Sequence, residues 1–174
     1  MRRRALLTRL GTAVGSGLLA GCVGIGRPTV RVSRGTSTIH PGDEQWIDGG
    51  LDPSGDRETF ATLVPDRAPE WIGADADTGI ADTLRNAGVA EQFHLVVEHQ
   101  TDPREPRSVV PTHGDDPEWD GRDELVVPVT HDPWGGDSFA DDEVPESAVA
   151  TGVWTLEPGF DDLPDEVRLR FDGE

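Results

Sequence analysis

The stretch Glu166-Val-Arg-Leu-Arg-Phe171 alternates apolar with charged residues, so that every second side chain is apolar. Because successive side chains of a strand point to opposite faces of a sheet, this pattern predicts a strand with one buried and one solvated face. Similar short apolar runs occur elsewhere, and we predict further strands over residues 29–34, 58–64, 92–99, 109–111, 124–131 and 148–156. The chain is therefore predicted to be mainly β.

Turn-forming residues separate these runs. The chain contains 21 Gly and 14 Pro, which is typical of short strands joined by tight turns. Helical spacing is present around Thr78 to Ala87, where Ile80 and Leu84 lie one turn apart and Gly88 follows. Pro128 interrupts the 124–131 run, which favours an edge strand or a bulge there. We predict a single antiparallel β-sandwich-like domain over residues 29–174, with one short helix.

The first 21 residues read as a targeting signal. Four arginines and no acidic residue lie in this segment, and a mildly apolar stretch runs from Leu10 to Ala20. That stretch is too short to cross a bilayer, since a helix needs about 20 residues to do so. We therefore assign residues 1–21 to a signal peptide.

Two motifs specify the kind of signal. Arg3-Arg4-Ala5-Leu6-Leu7 resembles the twin-arginine export pattern, and Leu19-Ala20-Gly21-Cys22 resembles the lipobox of bacterial and archaeal lipoproteins. The lipobox resemblance implies a glycerolipid on Cys22, which is the only cysteine of the chain. A two-chain lipid anchors a protein stably. Residues 22–28 then form a tether of roughly 20 Å when extended, and we expect the protein on the extracellular face of the cell membrane.

The charge of the mature chain is strongly negative. All 15 basic residues are arginines, and the signal holds four of them but none of the 34 acidic residues, which leaves −23 from Cys22 onward. At molar salt the screening length falls to about 3 Å, so such a surface no longer repels itself. This composition resembles that of extremely halophilic archaea. It also argues against nucleic acid as a partner.

The folded part resembles uncharacterised small lipoproteins of halophilic archaea over about its last 80 residues. The resemblance rests on Phe93-His-Leu-Val-Val97 and on a final strand introduced by Pro164-Asp165. It implies no activity. We expect a non-enzymatic binding or envelope-associated module, whose partners would be the membrane, through the lipid, and another envelope protein. The alternative is a small metal-dependent hydrolase that uses carboxylates together with histidines at the rim of the sandwich.

His99 and His131 are the candidates for such a site. Each has the parity of the apolar face of its predicted strand and lies at the end of that strand, so the two rings would meet if the strands pair. His94 points to the opposite face. A blue-copper site is excluded because the only Cys is Cys22 and the only Met is Met1. Calcium-loop matches such as 116–127 are partial and lack the final Glu. We find no catalytic motif and expect no cofactor.

Overall fold

The computed structural model of the chain describes residues 29–52, 55–65, 72–73, 76, 78–85, 93–121, 123–136, 139–140, 142–157 and 164–172. The predicted signal (1–21) and tether (22–28) therefore lie outside the described residues, and the same holds for residues 86–87 of the predicted helix. Within the described part, no helix is both long and apolar enough to cross a membrane.

Eight strands and one helix make up the described residues. They are β1 (Arg31–Pro41), β2 (Thr59–Pro65), α1 (Thr78–Arg85), β3 (Phe93–Thr101), β4 (Arg107–Pro111), β5 (Glu118–Asp120), β6 (Glu124–Pro133), β7 (Ala148–Glu157) and β8 (Glu166–Phe171). The chain is mainly β, as predicted, and each predicted strand corresponds to an observed one. The three-residue strand β5 was missed, because a run that short has no detectable period.

The strands form two sheets. The first sheet has the order β1-β7-β3-β2, and all its neighbours are antiparallel. In the second sheet β6 is flanked by β4 and β5 on one side and by β8 on the other. The pairing of β6 with β8 is parallel, so the arrangement is a sandwich of two sheets that are largely, but not wholly, antiparallel.

The sandwich core lies between the sheets. Apolar side chains from β3 and β7 meet those of β4 and β6, and the alternating residues Val167, Leu169 and Phe171 of β8 pack against them as predicted. The buried members are Val30, Phe93, Leu95, Val97, Val109, Leu125, Val127, Val129, Trp154 and Leu156. We call the side of the first sheet that faces this core the inner face.

A second core covers the opposite side of the same sheet, which we call the outer face. Val64, Val96 and Val153 pack there against α1 and against the segment 42–51, which we call the 42–51 loop. Ile80 and Leu84 of α1 are each 1% exposed, and burying such a side chain stabilises a fold by roughly 1.5–3 kcal/mol. The central strands β3 and β7 of the first sheet are therefore buried on both faces.

Pro128 lies in an interior strand, and the prediction of an edge strand or bulge was wrong. β8 pairs with one side of β6 from Glu124 to Val129, and on the other side β5 pairs only with Glu124 to Val126 and β4 only with Val129 to Pro133. The Thr112 N–H donates to the Pro128 carbonyl at 2.9 Å. Because the N and C=O of one strand residue point to the same side, the missing N–H of Pro128 falls at the boundary between β4 and β5.

The indole of Trp154 lies flat on the inner face. It covers the backbone at Gly35 on β1 and at Gly152 on its own strand, and a Cβ at either glycine would overlap the ring. Gly35 is the register partner of Trp154 across β1 and β7. The two glycines therefore make room for the largest side chain of the sandwich core.

Candidate functional site

The structure brings His99 and His131 together. Their ring centroids are 4.8 Å apart, with an angle of 54° between the ring planes. The strands that carry them do not pair, because β3 belongs to the first sheet and β6 to the second. The rings meet across the sandwich instead, since both point inward from facing sheets at the same end. The condition named in the sequence analysis, that the two strands pair, is therefore not met, and the two imidazoles are neighbours for another reason.

Each histidine has its own local support. His99 Nδ1 lies 2.9 Å from Thr59 Oγ1 on β2, and the His131 ring stacks on Phe171 with centroids 4.9 Å apart. Burial lowers the pKa of His99 below 6.5, and the neighbouring His131 lowers it further, while Glu58 opposes both effects. A neutral His99 imidazole is therefore favoured in the folded protein.

The alternative of a metal-dependent hydrolase required carboxylates beside this pair. Among the described residues, no group of three or more His, Cys, Asp or Glu side chains is placed to hold a metal ion. A metal at His99 and His131 stays a prediction. Arg3, Arg4, Leu19, Ala20, Gly21 and Cys22, which specify the export signal and the lipid, lie outside the described residues.

A second constellation lies on the outer face and was missed by the sequence analysis. His40 on β1, Thr151 on β7 and Glu98 on β3 are 2%, 0% and 3% exposed, and they form a continuous line across three strands. Thr151 and Glu98 are direct register partners, and His40 lies diagonally beyond Thr151. We call these three residues the buried chain.

Hydrogen bonds link the buried chain from end to end. His40 Nε2 lies 2.9 Å from Thr151 Oγ1, and Thr151 Oγ1 lies 3.3 Å from Glu98 Oε1. The other carboxyl oxygen, Glu98 Oε2, accepts the Leu51 N–H at 2.6 Å. The other ring nitrogen, His40 Nδ1, lies 2.9 Å from the Pro41 carbonyl oxygen. The buried chain therefore joins three strands to the 42–51 loop.

The 42–51 loop seals the buried chain from solvent. Trp46 stacks on the His40 ring with centroids 4.2 Å apart and planes 5° apart, and its Nε1 donates to Glu44 Oε2 at 2.8 Å. Gly50 lies so close to Glu98 that a Cβ there would overlap the carboxyl oxygen. Main chain and indole thus close over the acid and the imidazole.

Burial shifts both titratable members of the chain towards their neutral forms. Loss of solvation raises the pKa of Glu98 above 4.5, although hydrogen bonds from Leu51 and Thr151 oppose this. Loss of solvation also lowers the pKa of His40 below 6.5, opposed by its bond to the Pro41 carbonyl and by the charge of Glu44. A carboxyl group is neutral when it is protonated, and an imidazole is neutral when it is deprotonated. The two shifts therefore both favour the state in which Glu98 and His40 are uncharged and share one proton between them.

Carboxyl, hydroxyl and imidazole groups in contact are also found in nucleophilic catalysis. Here the hydroxyl lies between the other two groups, and Thr151 has no exposed surface. No substrate atom can reach it without displacement of the 42–51 loop. In the folded state this arrangement can hold a proton and move it internally.

One sequence signal pointed towards this buried outer face. The runs Leu95-Val96-Val97 and Val153-Trp154 are continuous rather than alternating, and such runs are typical of strands that are buried on both faces. The polar residues between them carried no comparable signal, since Glu and Thr on a strand are usually solvated.

No protein-family model, curated protein or solved structure matches this chain.

Proposed function

We propose that this chain is a lipid-anchored module on the extracellular face of the cell membrane, and that it acts by binding or by supporting the envelope rather than by catalysis. The observation that carries the proposal is the order of the N-terminal features. A twin-arginine pattern at Arg3-Arg4, a short apolar stretch and a lipobox ending in Cys22 follow one another at the distances that export and lipidation require.

The position of the first strand supports a location close to the membrane. β1 begins at Arg31, so only a few residues separate it from the lipid proposed on Cys22. An extended chain spans at most about 3.3–3.6 Å per residue. The β domain would therefore rest near the lipid headgroups, where a partner in the same membrane or envelope is within reach.

The burial of reactive groups supports a binding role. His40, Thr151 and Glu98 are the described residues whose types and contacts most resemble a catalytic set, and each is at most 3% exposed. Catalysis requires contact between such groups and a substrate. The exposed surface is instead rich in carboxylates, which keep a protein hydrated at high salt.

The anchor is tested by Cys22→Ser, with Gly24→Ser as the matched control outside the lipobox. We expect the wild type and the control in the membrane fraction, each with a mass that includes a diacylglyceryl group on residue 22. Cys22→Ser should lose both the added mass and the membrane attachment. Recovery from the cytosol of an unmodified chain that still begins at Met1 would contradict the proposal.

The binding role is tested by chemical cross-linking on intact cells at molar salt, followed by identification of the cross-linked species. We expect a defined partner in the envelope for the wild type, and loss of that partner for Cys22→Ser, which no longer resides at the membrane. A protein that forms no cross-link to any envelope component would not fit a binding role.

A further inference from the structure

When Glu98 is a carboxylate and His40 is a neutral imidazole, the buried chain has more hydrogen-bond links than hydrogens to fill them. The Pro41 carbonyl can only accept, so His40 Nδ1 must carry a hydrogen. The Leu51 N–H fills the link to Glu98 Oε2. Two links then remain, from Nε2 to Oγ1 and from Oγ1 to Oε1. The Thr151 hydroxyl supplies one hydrogen for these two links.

The second hydrogen has two possible positions. It resides either on Glu98 Oε1, which makes a neutral acid beside a neutral imidazole, or on His40 Nε2, which makes a carboxylate beside an imidazolium. Both states contain the same number of protons, and they interconvert when one hydrogen moves along each link. In either state the folded protein binds one proton more than a carboxylate and a neutral imidazole hold together.

Burial decides between the two states. Glu98 and His40 are 3% and 2% exposed, and a separated pair of charges in such a site requires the removal of two hydration shells. The state in which both groups are neutral avoids this cost of desolvation and still has a hydrogen in every link. The directions of the pKa shifts of Glu98 and His40 agree with it.

Few charged groups surround the buried chain. Glu44 of the 42–51 loop is the charged residue that acts on His40, and it favours the imidazolium. Opposite Glu98 on β2 lies Phe60, which carries no charge. On α1, Asp82 and Arg85 are exposed and lie 4.0 Å from each other. His94 shares the outer face with Glu98 but lies near Thr155 rather than Thr151.

We propose that the outer face of the first sheet is a binding site for a single proton, held at neutral pH as the carboxylic acid of Glu98. In this state the Thr151 hydroxyl no longer donates to Glu98, as it does to a carboxylate; Glu98 Oε1–H donates to Thr151, the Thr151 hydroxyl donates to His40 Nε2, and His40 Nδ1–H donates to Pro41. This inference concerns the described residues alone and does not depend on the proposed lipid anchor.

Both titratable members of the buried chain also contact the 42–51 loop. Leu51 is held by the Glu98 carboxyl, and Trp46 is held by the His40 ring. When the proton leaves, a single hydroxyl hydrogen must serve two links, so one of them breaks and the remaining carboxylate is left buried. Deprotonation therefore breaks a link between strands of the sheet, whereas the bond from Leu51 remains, because it favours the carboxylate.

Infrared spectroscopy tests the assignment directly. We use the purified protein in D₂O at molar salt and a pH near 7, where an exposed glutamate with the ordinary pKa of 4.5 is ionised. We expect the carbonyl stretch of one protonated carboxyl group per chain. The band should disappear on unfolding by denaturant at the same pH, and it should be absent from Glu98→Gln. The matched control Glu44→Gln should retain it.

A second measurement keeps the inference testable if Glu98→Gln does not fold. The ¹⁵N shifts of the wild-type histidines distinguish a neutral Nδ1–H imidazole from an imidazolium. We expect the neutral form for His40, identified by its loss in His40→Gln or by contacts to Trp46. A folded wild type without a carboxylic-acid band, or with His40 as an imidazolium, would overturn the proposal, and so would a band that survives Glu98→Gln.

Discussion

The central strands of the first sheet, β3 and β7, are buried on both their inner and outer faces, but the two faces are stabilised in different ways. The inner face is apolar, and its main feature is an indole lying on two glycines. The outer face mixes Val96 and Val153 with the polar residues His94, Glu98, Thr151 and Thr155, all of which are at most 3% exposed. The packing of the inner face thus depends on how well side-chain volumes fit together. The packing of the outer face depends on this as well, and also on hydrogen bonds between its buried polar groups. A strand can therefore bury both of its sides without being apolar on both.

The largest expected effect tests whether the outer layer belongs to the same cooperative unit as the sandwich. Leu84→Ala removes a side chain of α1 that is 1% exposed. We expect a loss of about 3 kcal/mol in the free energy of unfolding, because a buried Leu→Ala change also leaves a cavity. Denaturant unfolding at molar salt measures this. The exposed helix position Asp82→Ala is the control, and two separate unfolding transitions would show that the layers are independent.

The next effect tests the fit on the inner face. Gly152→Ala places a methyl group where the Trp154 ring lies, and overpacking of this kind costs about 2 kcal/mol. Gly135→Ala is the matched control, since a Cβ there meets open space. Equal unfolding midpoints for the two variants would mean that the indole moves aside without cost.

The pH dependence of stability tests the polar part of the outer face. The raised pKa of Glu98 contributes stability that is complete below pH 4.5 and is lost as pH rises through the folded-state value. The lowered pKa of His40 makes stability depend on pH in the opposite direction. The stability that His40 contributes is complete above pH 6.5 and is lost as pH falls through the folded-state pKa. The two slopes therefore oppose each other between pH 4.5 and 6.5.

Glu98→Gln isolates one of these slopes. The variant lacks the loss that Glu98 causes at rising pH, so its unfolding free energy should improve relative to the wild type as pH increases above 4.5. Denaturant titrations across this range give the comparison, with Glu143→Gln at an exposed position as the control. A difference between Glu98→Gln and the wild type that does not vary with pH would count against a buried neutral acid.

The smallest expected effect lies on the solvated side of the second sheet. Arg168 bonds Glu124 and Asp120, each at 3.1 Å, but all three side chains are solvent-accessible. Arg168→Gln should lower the unfolding midpoint at low salt and leave it unchanged at molar salt, because screening removes the contribution of exposed ion pairs. Arg104→Gln, in the turn after β3, is the control. A loss that persists at high salt would show that packing of the arginine stem matters more than its charge.

Local patterns predicted the strands better than their partners. The alternation of Val167, Leu169 and Phe171 is a local property of the chain, and it placed β8 and its buried face correctly. The parallel pairing of β8 with β6 depends on a long connection, and no local pattern encodes it. The same reason explains the error at Pro128, whose tolerance depends on two short strands that meet beside it.

The candidate sites divide in the same way. Parity along a strand predicted that His99 and His131 point to one end of the sandwich interior. The buried chain was not predictable, because His40, Thr151 and Glu98 are far apart in sequence and each has the polarity of a solvated strand residue. What buries them is the fold of the 42–51 loop and α1 over the sheet, which alternation along a strand does not report.

The position of Trp154 has a mechanical consequence for β1. This strand has 11 residues and pairs only with β7 within its sheet, so hydrogen bonds alone would allow it to slide by two residues and keep its buried side. Such a slide would replace Gly35 with Ser37 beneath the indole, where a side chain cannot fit. The ring therefore blocks the sliding of β1 along β7. Any tension applied from the N-terminal side must lift the indole before β1 can shear along its neighbour.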